Sequence, residues 1–188
     1  FKIDGFNLRD IDLYGNYFTI LPELPPTVHS LRLSVNGDEN PFELVATPRL
    51  FDDSLRLITE CTPNLTHLAL DVNHLSTHIL QRYFAGGAKS QGSRLRSLKI
   101  CRMRITYRVL FAIARGARNL LDLETSQMLS VDDRFLAILG DNCRQLRCIN
   151  LNGCRWVSDK GMAALARLEN VNSLIARIDH KRSTRMRS

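Results

Sequence analysis

The sequence predicts an α/β fold of stacked strand–turn–helix units. A short apolar pattern recurs along most of the chain, its last four copies are spaced 25 or 26 residues apart with two longer gaps before them that need insertions, and the apolar period between copies changes from two to about 3.6. The pattern is apolar-x-x-apolar-x-apolar-x-x followed by Asn, Cys or Met. Leu8, Ile11, Leu13 and Asn16 begin it, and Val28, Leu31, Leu33 and Asn36 follow. Next come Leu65, Leu68, Leu70 and Asn73, then Leu95, Leu98, Ile100 and Met103. Leu120, Leu123, Thr125 and Met128 precede the cleanest copy, Leu146, Ile149, Leu151 and Cys154, and a partial copy closes the series at Val171, Leu174 and Ala176. The first positions of these seven copies differ by 20, 37, 30, 25, 26 and 25 residues.

An apolar pair two residues apart is what a short strand needs to send both side chains to one buried face. The final Asn can hydrogen-bond the backbone of the adjacent loop, and a Cys can fill the same place as a small apolar group. Helical stretches follow the strands. Ser158 is placed to cap a helix that buries Met162, Leu165 and Ala166, Val131 to Leu139 presents Phe135, Leu136 and Leu139, and Thr106 to Ala114 presents Val109, Leu110 and Ile113. Asp52 to Cys61 presents Leu55, Ile58 and Cys61, whereas Leu21 to Pro26 reads as an extended connector. A period of 20 to 29 residues is that of leucine-rich repeats. The expected fold is therefore a leucine-rich-repeat solenoid, a right-handed arc with parallel strands on its concave face and helices on its convex face. It spans residues 1–178 in about seven repeats, with insertions near 37–51 and a flexible one at 85–93, before a basic, disordered tail at 179–188.

Composition excludes several classes. Hydrophobic residues at 44% and charged residues at 24% are those of a chain that packs a core. The longest apolar run is Val109 to Ala114, far below the roughly 20 residues of a membrane-spanning helix. No basic stretch precedes an apolar one at the start, so no signal peptide is expected and Phe1 reads as a truncation point. The charge is 26 − 19 = +7, of which 5 − 1 = +4 belongs to Arg177 and the residues after it, so the body carries +3. A nucleic-acid role led by that tail is not the favoured reading. Five cysteines without C-x-x-C spacing indicate neither a disulfide framework nor a thiolate zinc site, and point to the cytoplasm or nucleus.

The residues from Cys143 to Ala166, with Cys143 before Leu146, Cys154 after the strand and Val157-Ser158-Asp159-Lys160-Gly161 leading into a helix, resemble the cysteine-containing repeat of F-box/LRR proteins. Cys61 to Leu70 is similar, with one extra residue before Leu65, while Asn16 and Asn36 replace the second Cys in earlier copies. The resemblance implies an arc that holds the substrate of an SCF-type ubiquitin ligase, acting in ubiquitin-dependent protein degradation. A separate F-box would dock the Skp1-type adaptor, and no segment of this chain resembles one. A scaffold or assembly factor without a ubiquitin role is the alternative.

Candidate chemistry is sparse. Asn64-Leu65-Thr66 reads as an ordinary turn, and Gly86 to Ser90 fails the phosphate-loop register because Ala88 stands where Gly must precede the Lys. His74 and His78 lack further ligands, and Asp52-Asp53 and Asp132-Asp133 read as helix-start acids. Neither enzyme activity nor a metal or cofactor is expected. What remains is the outward face of the strands: Asp10, Asp12 and Tyr14; Ser30, Arg32 and Ser34; His67, Ala69 and Asp71; Ser97, Lys99 and Cys101; Asp122, Glu124 and Ser126; Cys148, Asn150 and Asn152; Ser173, Ile175 and Arg177. The partner-binding set expected there is Arg32, His67, Asp71, Lys99, Asp122, Glu124, Asn150, Asn152 and Arg177, with a protein as the partner.

Overall fold

A computed structural model describes residues 7–13, 23–34, 52–71 and 77–176. Its strands are β1 (Asp10–Leu13), β2 (Ser30–Ser34), β3 (His67–Asp71), β4 (Ser97–Ile100), β5 (Asp122–Glu124), β6 (Cys148–Asn150) and β7 (Ser173–Ile175). The helices are α1 (Asp52–Cys61) before β3, α2 (Thr77–Phe84) before β4, α3 (Tyr107–Gly116) before β5, α4 (Asp133–Asn142) before β6 and α5 (Asp159–Leu165) before β7. All seven strands join one open sheet in chain order, each pair parallel. The protein is thus mixed α/β.

The register follows the apolar pattern. Leu31 pairs with Leu68, Leu68 with Leu98, Leu98 with Leu123, Leu123 with Ile149 and Ile149 with Leu174, so equivalent positions stand side by side. These residues, apart from Leu174, are buried with Val109, Leu110, Ile113, Phe135, Leu136 and Leu139 of α3 and α4 in one core. The pattern-closing Met103, Met128 and Cys154 are buried in it too. Thr125 is fully buried at an otherwise apolar position, and the Cys154 thiol donates to its carbonyl at 3.0 Å.

Successive units are also tied through side chains. Asn64 donates to the Pro26 carbonyl at 3.0 Å, Asn119 to Ser93 at 2.9 Å and Asn170 to Arg144 at 3.1 Å, each residue one before a pattern leucine or valine reaching the preceding turn. Arg94 does the same to Pro63. At the helix starts, the Asp132 carboxylate accepts from the Phe135 N–H at 3.0 Å, and the Ser158 hydroxyl accepts from the Lys160 N–H at 3.3 Å. Asp133 links α4 to α5, accepting from the Ser158 N–H at 2.7 Å and from its hydroxyl at 2.6 Å.

Several expectations need correction. In α5 the buried stripe is Gly161, Ala164 and Leu165, continued by Leu168, while Met162 is half-buried and Ala166 exposed. The close approach of Gly161 to Asp133 and Leu136 rotates the helix by one position, because a Cβ there would sit 2.5 Å from the Asp133 Oδ1. Leu174 is 43% exposed, since β7 ends the sheet and no further element packs on it among the described residues. Cys61 is half-buried. Residues 85–93 are not a loose excursion: Gly87–Lys89 and Gln91–Arg94 form two 3-10 turns, the second packed on Phe84, and Ser90 donates to the Gly116 carbonyl at 3.4 Å. The expectations for Tyr14, Asn16, Leu55, Asn36, the 37–51 insertion, Asn73, His74, Arg177 and the tail fall outside the described residues and side chains.

Candidate binding face of the sheet

Helices cover one face of the sheet, and the alternate side chains of the strands line the other. Two rows cross that face. Asp10, Ser30, His67, Ser97, Asp122, Cys148 and Ser173 stand in register in one, and Asp12, Arg32, Ala69, Lys99, Glu124, Asn150 and Ile175 in the next. Parallel strands lie about 4.8 Å apart, so neighbours within a row are in contact range. Oppositely charged neighbours do meet. Arg32 pairs with Asp12 at 3.2 Å and Lys99 with Glu124 at 2.9 Å.

Ala69 is the small residue in its row, and an open groove of about 240 Å³ forms over it. Arg32, Lys99 and Glu124 wall the groove, and Asp71, Cys101, Arg102, Ser126 and Gln127 line its far side. Arg102 grips Asp71 with two donors, Nε at 3.2 Å from Oδ1 and Nη2 on Oδ2. Arg102 and Gln127 hold left-handed backbone conformations, with φ of 57° and 58°, and Gly153 takes the same place after β6 with φ of 76°. Glycine adopts that conformation without cost, whereas another residue is strained by about 1 to 2 kcal/mol. Ladder bonds hold both residues there: the Arg102 N–H donates to Ser126 at 3.1 Å and the Gln127 N–H to Asn152 at 2.8 Å.

Glu124 is the hub of the face. Its Oε1 accepts from the Ser126 hydroxyl at 3.2 Å and from the Cys101 thiol at 3.5 Å, while Oε2 meets Lys99. Partial burial alone would push its carboxyl up, but the hydrogen bond and charge of Lys99, then the bonds from Cys101 and Ser126, outweigh it, and Glu124 titrates below its ordinary value of 4.5. A carboxyl lowered in the folded state contributes stability above its unfolded pKa and loses it as pH falls through the folded value. Lys99→Met should therefore raise the Glu124 pKa and lessen the loss of stability below about pH 4.5; a carboxyl-carbon NMR titration of both proteins reads the shift directly. Cys101, expected to point outward, does face the groove but is 6% exposed beneath these groups; burial first, then Glu124, pushes its thiol up to about 11.

Of the expected partner-binding residues, Arg32 and His67 are exposed, and Asp71, Lys99, Asp122, Glu124, Asn150 and Asn152 are half-buried. Arg32, Asp71, Lys99 and Glu124 meet at the groove; His67, Asp122, Asn150 and Asn152 do not line it. Asn150 closes the end of β6, its Oδ1 accepting from the Asn152 N–H at 3.0 Å. Arg102 and Gln127 join the groove without being among the expected residues. The sequence does carry a signal for them, since both align with Gly153 in the cleanest copy, where a glycine marks a left-handed turn. Among the described residues no group of three or more His, Cys, Asp or Glu is placed to hold a metal, and no helix is long and apolar enough to cross a membrane. No protein-family model matches the chain, and no curated protein matches its sequence.

Proposed function

We propose that the chain is a protein-binding leucine-rich-repeat solenoid whose uncovered sheet face is concave and receives a protein partner, as the substrate-recognition part of an SCF-type ubiquitin ligase. The observation that carries the binding role is the row of Arg32, Lys99, Glu124 and Asn150 with its groove over Ala69: three charged groups and an amide held in place by a rigid sheet, with no element of the described chain covering them. Ordered charges of this kind favour specificity over gross affinity, because each pairing must be exchanged for an equivalent one in the complex. The repeat spacing, the in-register pairing of pattern leucines and the cysteine-containing copy at Cys143 to Ala166 support the repeat class and the ligase reading.

The ligase reading is tested by immunoprecipitating the full-length protein from its native cells. A co-precipitated Skp1-type adaptor, together with a partner whose level rises when the protein is depleted, is the expected result. A partner whose level does not change, recovered without adaptor, would make the chain a scaffold or assembly factor instead.

A further inference from the structure

The charge of the described residues is segregated. The sheet face carries Asp10, Asp12, Asp71, Asp122 and Glu124 against Arg32, Lys99 and Arg102, or 3 − 5 = −2. The edge at which the chain enters β4 to β7, where the helices also end, is the reverse. Arg94, Arg96, Arg115, Arg118, Arg144 and Arg147 are all exposed there, and with Arg167 they face only Asp141 and Glu169, giving 7 − 2 = +5. Arg167 pairs with Asp141 at 3.1 Å. None of the other six meets a carboxylate among the described residues; Arg94 donates to the Pro63 carbonyl, Arg118 to Arg115 at 3.3 Å and Arg144 to Arg167 at 3.5 Å, which leaves their charge uncompensated.

Two of these positions are fixed by the sheet itself. The Arg96 carbonyl accepts from the Leu121 N–H at 2.7 Å, and the Arg147 carbonyl from the Asn172 N–H at 2.9 Å. Arg96 and Arg147 therefore stand two strands apart, roughly 10 Å, on a rigid edge. Cations at helix ends favour the dipole, which accounts for Arg115 at the end of α3 and Arg94 at the end of its 3-10 turn but not for Arg96 or Arg147, which lie in no helix. Arginine dominates throughout the chain, 21 Arg to 5 Lys of the 26 cationic residues, and its planar fork suits paired oxygens.

We infer that this strand-entry edge binds the phosphate backbone of a duplex nucleic acid. The exposed large apolar residues among those described, Tyr107, Leu129, Trp156, Leu174 and Ile175, follow β4, β5 and β6 or lie on β7, so none of them stands at this edge as an anchor for a protein partner. A polyanion needs nothing buried, because releasing its condensed counterions drives binding. Among the described residues no aromatic side chain is exposed there for unpaired bases to stack on, which favours a duplex over a single strand. The same geometry serves DNA and RNA duplexes, since it reads phosphates alone.

Fluorescence anisotropy of the whole chain with labelled DNA and RNA duplexes, between about 50 and 200 mM salt, tests it. With about four phosphates engaged, affinity for one or both should fall on the order of 100-fold over that range. R96Q/R115Q/R147Q, removing three cations whose side chains make no hydrogen bond among the described residues, should weaken binding about 10-fold or more at about 50 mM salt and flatten the salt dependence to a slope near roughly −1. R104Q/R134Q/R155Q, three exposed arginines near the opposite edge, should bind as the wild type does. Equal losses in both triple variants, or an unchanged slope, would overturn the assignment, as would polyglutamate displacing the duplex at equal charge, which would make the edge a site for acidic protein segments. Circular dichroism of each variant separates lost binding from lost fold.

Discussion

Phe135→Ala should lower the free energy of unfolding by about 3 to 5 kcal/mol. Phe135 is fully buried on α4, and among the described residues it is one of the two largest side chains with less than 2% exposure. The helix is pinned at its start by the Asp132 cap and by Asp133, which binds the next unit. Collapse around the missing ring is therefore restricted, and the cavity persists. Against a total stability of some 5 to 15 kcal/mol, roughly that of ordinary domains, this is a substantial fraction. Urea denaturation measures it, and a loss under about 1 kcal/mol would mean that the α4 packing is wrong.

Gly116→Val should cost about 3 kcal/mol by the opposite mechanism. Gly116 ends α3 where that helix meets the end of α2, and a Cβ there would overlap the carbonyl oxygen of Phe84. That atom is backbone and cannot rotate away, so α2 and α3 must separate and the Ser90 bond to the Gly116 carbonyl is lost with them. For a chain of this size the melting temperature should drop by roughly 6 to 12 °C. A thermal melt within about 2 °C of the wild type would show that the two helix ends are not in contact.

These two sites mark what is legible in the sequence. Phe135 is readable, because Phe135, Leu136 and Leu139 repeat at helical spacing after a capping acid. So is the sheet, since an apolar pair two apart, repeated seven times along the chain, pairs best with its equivalents. Gly116 is not readable: its role comes from the closeness of Phe84, 32 residues away, which no local pattern encodes. The α5 face differs from its expected register by one residue for the same reason, a close approach of Gly161 to the preceding helix. Residues 85–93 look like a loop by composition, yet Gly92 lets Phe84 lie against the backbone.

The uncovered face of the sheet shows the same division. Strand alternation is enough to place Lys99, Glu124 and Asn150 in one row, because a side-chain period of two allows no other arrangement once Leu98, Leu123 and Ile149 are buried. It does not reveal the groove, which depends on Ala69 being small between Arg32 and Lys99, nor the bidentate hold of Arg102 on Asp71. Summed charge is the poorest guide: the body's +3 hides an acidic sheet face beside an arginine edge.

The central claim is that the sheet face is the surface that meets a protein partner, and a comparative capture tests it most directly. Wild type and D122K/E124K, both shown folded by circular dichroism, are used as baits in extract from the native cells. Asp122 and Glu124 are half-buried on β5 and bordered by Ser97 and Lys99 on one side and Cys148 and Asn150 on the other. Reversing them inverts the field at the centre of the face and turns the ion pair with Lys99 into a repulsion between two ammonium groups. The account predicts that a protein captured by the wild type is lost or reduced at least about 10-fold with the variant, while R104Q/R155Q, altered away from the face, retains it. Identical captured proteins with wild type and D122K/E124K would contradict the claim.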